Sequence, residues 1–155
     1  MMNKFIVDKL IINTDASFHP AHKIGAYAFY IMCDHFKLQT VGLFKKGLPR
    51  DSNEAEMMSI ANALSSLLER DYVPHVKELV LNTDSLNAIE EIIKQNTESG
   101  KYVGKLWQQV IRRTRSRKNE LIHVAAHTIA DNPNAWMNAW CDEEARKLMR
   151  LQIPQ

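Results

Sequence analysis

The sequence predicts an α/β fold in which a five-stranded mixed sheet is flanked by helices, in the order β-β-β-α-β-α-α-β-α. Short apolar runs with β-branched or alternating aromatic residues predict the strands. Longer segments with an apolar residue at every third or fourth position predict the helices. The chain has 155 residues and shows no repeat or linker, so we expect one domain over residues 1–155.

The first three strands are expected before any helix. They are predicted over residues 10–15, 25–33 and 36–44. The first contains the β-branched pair Ile11 and Ile12 and has the composition of a buried strand. The second alternates large apolar side chains with small or polar ones, and Asp34 and His35 provide a turn into the third. A hairpin is therefore expected here.

Helix signals dominate the rest of the chain. Asp51 and Glu54 have the spacing of a capping box, which predicts the start of the first helix. The apolar stripe of that helix comprises Met57, Ile60, Ala61, Leu64, Leu67 and Leu68. A compact apolar strand follows at residues 78–83, and Ser85 is predicted to cap the second helix, whose apolar positions include Ile93.

The last third of the chain alternates loop, helix, strand and helix. A loop is predicted at residues 96–101, followed by a helix that buries Trp107. A fifth strand is expected at residues 121–126, and the final helix carries Cys141 on its apolar side as a small buried residue. Because helices connect strands one, four and five, these strands are expected to pair in parallel.

Four acidic residues suggest the chemistry. Asp15 and Asp84 end strands, whereas Glu56 and Asp142 lie on helical segments. Functional groups gather at the carboxyl ends of parallel strands, where the two aspartates would lie. A buried carboxylate is costly unless it is paired or bound to a metal, and hard oxygen ligands suit Mg²⁺ or Mn²⁺. If the four converge, they form a divalent-metal site.

Five short motifs carry a resemblance. They are Thr14-Asp15-Ala16-Ser17, Asn53-Glu54-Ala55-Glu56, Thr83-Asp84-Ser85, His127, and the segment from Asn138 through Asp142 to Arg146. Each is weak alone, but all five occur in the same order and on the same elements as in one family. From residue 10 to about residue 146, the chain resembles the type I branch of the ribonuclease H family.

The resemblance implies a ribonuclease H-like fold and an endonuclease that hydrolyses the RNA strand of RNA–DNA hybrids. Two Mg²⁺ ions would serve as cofactors, with Mn²⁺ as an alternative. Asp15 would bridge both ions and Asp142 would help hold the ion that activates water. Glu56 and Asp84 would hold the other ion, and His127 would assist proton movement or product release.

The same resemblance implies contacts with the hybrid. The residues concerned are Ala16, Ser17, Ser52, Asn53, Ser85 and Asn138. Asn53 would lie near the RNA strand and help to sense the 2′-hydroxyl group, which distinguishes RNA from DNA.

The chain departs from the family pattern in several places. Ala16 stands where the family usually has glycine, and residues 18–25 replace a glycine-rich turn. The basic, tryptophan-rich protrusion of many bacterial members is shortened to roughly residues 94–105. A partner domain or protein that compensates for it is therefore expected. The loop over residues 128–136 is longer than usual.

Two alternative functions stay open at this point. One is a related nuclease that acts on DNA, such as a resolvase or an exonuclease. Exonucleases of this kind usually carry a second acid two residues after the first, where this chain has Ser17. The other is a non-catalytic module that binds hybrids, against which the retention of all four acids argues.

Composition sets broader limits. Apolar residues make up 45% and charged residues 25% of the chain, with a formal net charge of +2. Such a balance is ordinary for a soluble protein and does not demand a polyanionic partner. Two cysteines without a pairing pattern, and an N-terminus unlike a signal peptide, lead us to expect a cytoplasmic protein that does not contact a membrane. The basic run at residues 112–118 is expected opposite the acids.

Overall fold

The structure is a computed structural model that describes residues 6–124 and 133–154. Within these ranges the predicted order of strands and helices is confirmed. The strands are β1 (Ile6–His19), β2 (Ile24–Met32), β3 (Lys37–Leu43), β4 (His75–Thr83) and β5 (Lys118–His123). The helices are α1 (Ser52–Leu68), α2 (Leu86–Lys94), α3 (Glu98–Thr114) and α4 (Pro133–Leu151). None of these helices is long and apolar enough to cross a membrane.

The five strands form one mixed sheet in the order β3-β2-β1-β4-β5. β1 pairs with β2 in antiparallel fashion and with β4 in parallel, and β5 adds to β4 in parallel. The register pairs Asn13 of β1 with Asn82 of β4. Asp84 therefore follows the end of β4 beside the part of β1 that carries Asp15. The parallel pairing predicted from the connections is what brings these two acids to the same end of the sheet.

Helices cover both faces of the sheet. On one face the larger core brings the strand residues Leu10, Ile12 and Leu81 together with Ile60 and Leu64 of α1. The opposite face packs against α4. Its smaller core consists of Ala28, Tyr30, Met137, Cys141 and Ala145. Because side chains alternate along a strand, Ile12 points to the larger core and its neighbours Ile11 and Asn13 point toward α4. Trp107 and Cys141 are buried, as predicted.

Two helix caps follow from the residues predicted to form them. The Asp51 side chain accepts a hydrogen bond from the backbone N–H of Glu54 at 2.8 Å. The Glu54 carboxylate accepts from the backbone and side chain of Arg50, so only one half of the capping box forms. Ser85 caps α2 by accepting from the backbone N–H of Ala88 at 3.1 Å.

Some predicted boundaries and positions were wrong. The loop expected at residues 96–101 is mostly helix, because Thr97 caps α3 by accepting from the N–H of Gly100 at 2.9 Å. β1 spans Ile6–His19 rather than residues 10–15, so Asp15 lies within the strand and not at its end, because pairing with β2 continues past it. β5 begins at Lys118 rather than at residue 121. Ile93, expected on the buried side of α2, is 67% exposed. The buried side of α2 is formed by Ala88, Ile89 and Ile92, so the neighbouring Ile93 points away from the core.

The contact between α2 and α3 depends on a glycine. Gly100 is buried in the first turn of α3, and a Cβ atom there would overlap the backbone carbonyl of Glu91. The same carbonyl accepts the N–H of Gln95, which ends α2 in the left-handed conformation. The two helices can therefore approach closely only because residue 100 has no side chain.

We predict that Gly100→Ala lowers the free energy of unfolding by about 1–3 kcal/mol, because overpacking outweighs the helix propensity gained. Denaturant unfolding provides the measurement. Ser99→Ala is the control, since Ser99 is exposed in the same turn and its replacement should be neutral or slightly stabilising. A Gly100→Ala protein as stable as the Ser99→Ala protein would contradict the close contact.

Candidate metal centre

Three carboxylates from three separate elements converge at one end of the sheet. Asp15 comes from β1, Glu56 from near the start of α1, and Asp84 from the residue after β4. One oxygen atom from each carboxylate lies within 4.8 Å of an oxygen of each of the others. The convergence that the sequence predicted for these three residues is therefore present in the fold.

Hydrogen bonds fix the position of Asp15. Its backbone carbonyl accepts a buried hydrogen bond from the hydroxyl of Ser59 at 2.9 Å. Its Oδ1 atom accepts from the backbone N–H of Ala16 at 2.8 Å. Ser59 lies one turn after Glu56, so the same stretch of α1 supplies one carboxylate and anchors the backbone of another.

Asp84 is positioned by the end of β4 and the start of α2. Ser85 directly follows it as the cap of α2, and the backbone N–H of Ser85 donates to the hydroxyl of Thr83 at 3.1 Å. The ring Nε2 of His123 lies 3.1 Å from the backbone carbonyl oxygen of Asp84. The chain is thus held on both sides of Asp84 by adjacent elements.

The electrostatic environment disfavours negative charge in this cluster. Asp15 is 1% exposed, and burial followed by the nearby charges of Glu56, Asp84 and Asp142 raises its pKa to about 10. Burial, followed by the charge of Asp84, raises the pKa of Glu56 to about 8. Without a cation, these two carboxyl groups therefore retain protons that isolated carboxyl groups lose near pH 4.

The donor set fits a divalent cation. Asp15 Oδ2 and Glu56 Oε2 are buried and have no hydrogen-bond partner among the described residues. Buried polar atoms normally have partners, and carboxylate oxygens are the ligands that Mg²⁺ and Mn²⁺ prefer. A bound cation would satisfy both oxygens and remove the repulsion among the acids. Asp15, Glu56 and Asp84 are the residues that could hold it.

Asp142 lies close to the cluster but is not part of the convergent trio. Its charge contributes to the raised pKa of Asp15, which places it nearby on α4. Both of its carboxylate oxygens accept from Arg146 Nη2, at 3.1 and 2.9 Å. This contact partly neutralises Asp142. Its predicted role as a metal ligand stays a prediction.

The predicted substrate-binding residues fall into two groups, of which the first is exposed. Ser52 and Asn53 lie on the surface at the start of α1. Asn53 Oδ1 accepts from Asn87 Nδ2 of α2 at 3.4 Å, so the starts of α1 and α2 form a shared polar surface. This surface is open to a large ligand.

The second group lies closer to the carboxylates. Ala16 donates its backbone N–H to Asp15, Ser17 is half-buried on β1, and Ser85 uses its hydroxyl to cap α2. Asn138 is only 4% exposed. The substrate contacts expected of these residues stay predictions.

Other predictions concern groups away from the cluster. His127 and residues 128–132 lie outside the described residues. Residues 133–136, predicted as the rest of the long loop, belong to α4 instead. Trp136 is 58% exposed and its ring meets the edge of Tyr30 with centroids 5.7 Å apart. In the basic run at residues 112–118, the backbone N–H of Arg117 donates to Lys77 near the start of β4. This run therefore lies at the end of the sheet opposite Asp84, as expected.

The structure adds two contacts that sequence reasoning missed. Ser59 anchors Asp15, and its only sequence signal is a hydroxyl at a position within the buried stripe of α1. Arg146 pairs with Asp142, and their separation of four residues on a helix is a spacing that favours ion pairs. That spacing alone would have justified predicting the second contact.

Solved structures share this fold. RNase H1 from the halophilic archaeon Halobacterium salinarum NRC-1 is 10% identical over 92% of this chain and 98% of its own, with a TM-score of 0.61. The N-terminal RNase H domain of Rv2228c from Mycobacterium tuberculosis, solved as a fusion with maltose binding protein, is 15% identical over 91% and 98%, with a TM-score of 0.61. LC11-RNase H1 in complex with RNA/DNA hybrid is 16% identical over 90% and 98%, with a TM-score of 0.57.

Sequence comparison identifies the family. No curated protein gives a significant match to this chain. The family model for RNase H matches residues 8–150, which include every convergent carboxylate and Asp142. The chain therefore belongs to the RNase H family.

Proposed function

We propose that this protein is a divalent-metal-dependent endonuclease that hydrolyses the RNA strand of RNA–DNA hybrids. The observation that carries the proposal is the convergence of the buried Asp15 with the half-buried Glu56 and Asp84 in a member of the RNase H family. Family membership supports a phosphodiester hydrolase. The hybrid bound to LC11-RNase H1 supports the choice of substrate.

The carboxylates would hold Mg²⁺ or Mn²⁺, with Asp142 completing the site. When bound, two such ions would supply a nucleophilic hydroxide and relieve charge on the leaving oxygen. The chain itself contributes the rigid placement of the ligands. Ser59 and Ala16 hold Asp15 in position, and Arg146 restricts Asp142.

The hybrid would lie across the exposed starts of α1 and α2. Asn53, within hydrogen-bond distance of Asn87 on this surface, would help to sense the RNA 2′-hydroxyl. Ala16, Ser17 and Ser85 lie beside the carboxylates and would contact the strand that is cut. His127 would move a proton or help to release the product.

The short connection between α2 and α3 limits how strongly this protein alone would bind an RNA–DNA hybrid. Only residues 95–97 separate the two helices, and Lys94, Lys101 and Lys105 are exposed along this segment. Three lysines provide a modest attraction for phosphates. We therefore propose that a partner domain or protein strengthens binding to long hybrids.

Cleavage of matched duplexes tests this proposal. We predict Mg²⁺- or Mn²⁺-dependent cleavage of a labelled RNA–DNA hybrid at the RNA strand, with little cleavage of RNA–RNA or DNA–DNA duplexes. Asp84→Asn should lower the rate by more than about 100-fold, because even groups behind a metal ligand contribute 10- to 100-fold. Asp71→Asn is the control, since Asp71 is exposed and outside the cluster.

The possible outcomes separate the alternatives. Preferential cutting of DNA would favour the related DNA nuclease, whereas hybrid binding without cleavage would favour a non-catalytic module. Full activity of the Asp84→Asn protein would refute the assignment of the carboxylates.

We predict that His127→Ala slows turnover only in part, by roughly 10- to 100-fold, because general acid–base assistance contributes on the order of 10²–10⁴-fold and solvent can replace some of it. Single-turnover and steady-state rates on the same hybrid measure the effect on chemistry and on product release separately. An unchanged rate in both regimes would indicate that His127 has a structural role.

Raising the pH should destabilise the metal-free protein, and Mg²⁺ should reverse the effect. Asp15 and Glu56 have pKa values of about 10 and about 8 in the fold, above those of an unfolded chain, so folding takes up protons. Stability from this source is therefore complete below about pH 4 and declines as the pH rises toward the folded values. Melting temperatures at about pH 5.5 and 8.5, with and without Mg²⁺, measure this dependence.

A charge-neutral variant serves as the reference. Asp15→Asn should flatten the pH dependence of the metal-free protein and reduce the gain from Mg²⁺, whereas Asp71→Asn should change neither. An equal rise in melting temperature with Mg²⁺ at both pH values would contradict the raised pKa values.

A further inference from the structure

Three buried asparagines lie directly behind the acids. Asn13 precedes Asp15 by two residues on β1, and Asn82 precedes Asp84 by two residues at the end of β4. Asn138 precedes Asp142 by four residues on α4. Two residues on a strand keep Asn13 and Asp15 on the same face, and four residues on a helix do the same for Asn138 and Asp142, whereas Asp84 lies one residue beyond the end of β4. We call these three residues the asparagine layer.

The asparagine layer draws on three elements, β1, β4 and α4. Asn13 and Asn82 are direct partners in the parallel register of β1 and β4. Asn13 Nδ2 donates to the Met137 sulfur at 3.6 Å, and Met137 is the neighbour of Asn138 on α4. Asn13 and Asn82 are fully buried and Asn138 is 4% exposed. The layer therefore lies between the sheet and α4, beneath the carboxylates.

Most side-chain polar atoms of the asparagine layer lack a hydrogen-bond partner among the described residues. Asn13 Oδ1, Asn138 Oδ1 and both polar side-chain atoms of Asn82 are buried without a hydrogen-bond partner in the described part of the chain. Burying an amide without a hydrogen-bond partner destabilises the fold. Two residues before Asn13 and Asn82, on the same face of the sheet, β1 and β4 carry the apolar residues Ile11 and Val80. An ordinary core would have continued that apolar pattern.

Amides suit ordered water between them and a carboxylate. Each amide can both donate and accept, so it can hold a water molecule that in turn donates to an anion. Asp15 Oδ2, two residues from Asn13, is a buried acceptor without a partner within residues 6–124 and 133–154. Groups that hydrogen-bond metal ligands from behind fix the orientation of those ligands and raise their affinity for metal.

We infer that Asn13, Asn82 and Asn138 are positioning residues that hold ordered water against the carboxylate cluster and thereby orient Asp15 and Asp84 for metal binding. This inference rests on the proposed function, since it concerns the ligands of the proposed metal site. It assigns no contact with the substrate to Asn13 or Asn82.

The test is the affinity of the intact protein for Mn²⁺, measured by titration calorimetry without substrate. Asn82→Leu keeps the side-chain size and removes the amide, and should weaken Mn²⁺ binding by about 10- to 100-fold. Thr14→Val is the matched control. Thr14 is also fully buried, and its hydroxyl has no partner among the residues that the structure describes. It points to the opposite face of β1, so Mn²⁺ affinity should stay within about twofold.

A second pair of variants keeps the inference testable if the Asn82→Leu protein does not fold. Asn82→Ser and Asn82→Ala differ by one hydroxyl, and both leave room for water. The serine protein should bind Mn²⁺ several-fold more tightly than the alanine protein, since only serine keeps a partner for that water.

The outcomes distinguish this inference from the proposed function. Equal Mn²⁺ affinities for wild type and Asn82→Leu, or for the serine and alanine proteins, would overturn the positioning role and leave the nuclease proposal intact. A wild-type protein that binds no Mn²⁺ would overturn both, because the asparagine layer would have no metal ligands to orient. A loss of affinity confined to the Asn82 variants supports the inference.

Discussion

The constraint on which this structure depends is the burial of like charges at one end of the sheet. Asp15, Glu56 and Asp84 each place one carboxylate oxygen within 4.8 Å of an oxygen of the others, and burial raises the pKa of the first two. Such an arrangement opposes folding unless protons or a cation compensate for the charge. The surrounding structure holds it in place, because the three residues come from elements that pack through the larger core.

The two cores have different tasks in this arrangement. The larger core, between the sheet and α1 and α3, is built mainly from apolar side chains and supports the strand register that aligns Asp15 with Asp84. On the face of the sheet that α4 covers, the side chains of β1 and β4 are apolar at Ile11 and Val80 and are amides at Asn13 and Asn82. The carboxylates follow further along the chain. Polarity therefore rises stepwise toward the end of the sheet where the RNase H family motifs meet.

Local signals made much of this fold predictable. Asp51 and Ser85 have capping side chains at the correct distance from their helices, and apolar runs define β4, which ends just before Asp84, and the part of β1 that leads to Asp15. Contacts between elements that are distant in sequence could not be predicted from such local signals. The hydrogen bond from Ser59 to Asp15 requires α1 to dock on β1, and the burial of Asn82 requires the parallel register of β1 and β4. Neither leaves a periodic pattern in the sequence.

A crystal of the protein soaked with Mn²⁺ and measured at the manganese absorption edge tests the account most directly. We expect anomalous peaks between the carboxylates of Asp15, Glu56 and Asp84, at metal–oxygen distances of about 2.0–2.3 Å. Carboxylates that turn away from one another, with no anomalous density between them, would contradict the claim that a captured cation balances their charge.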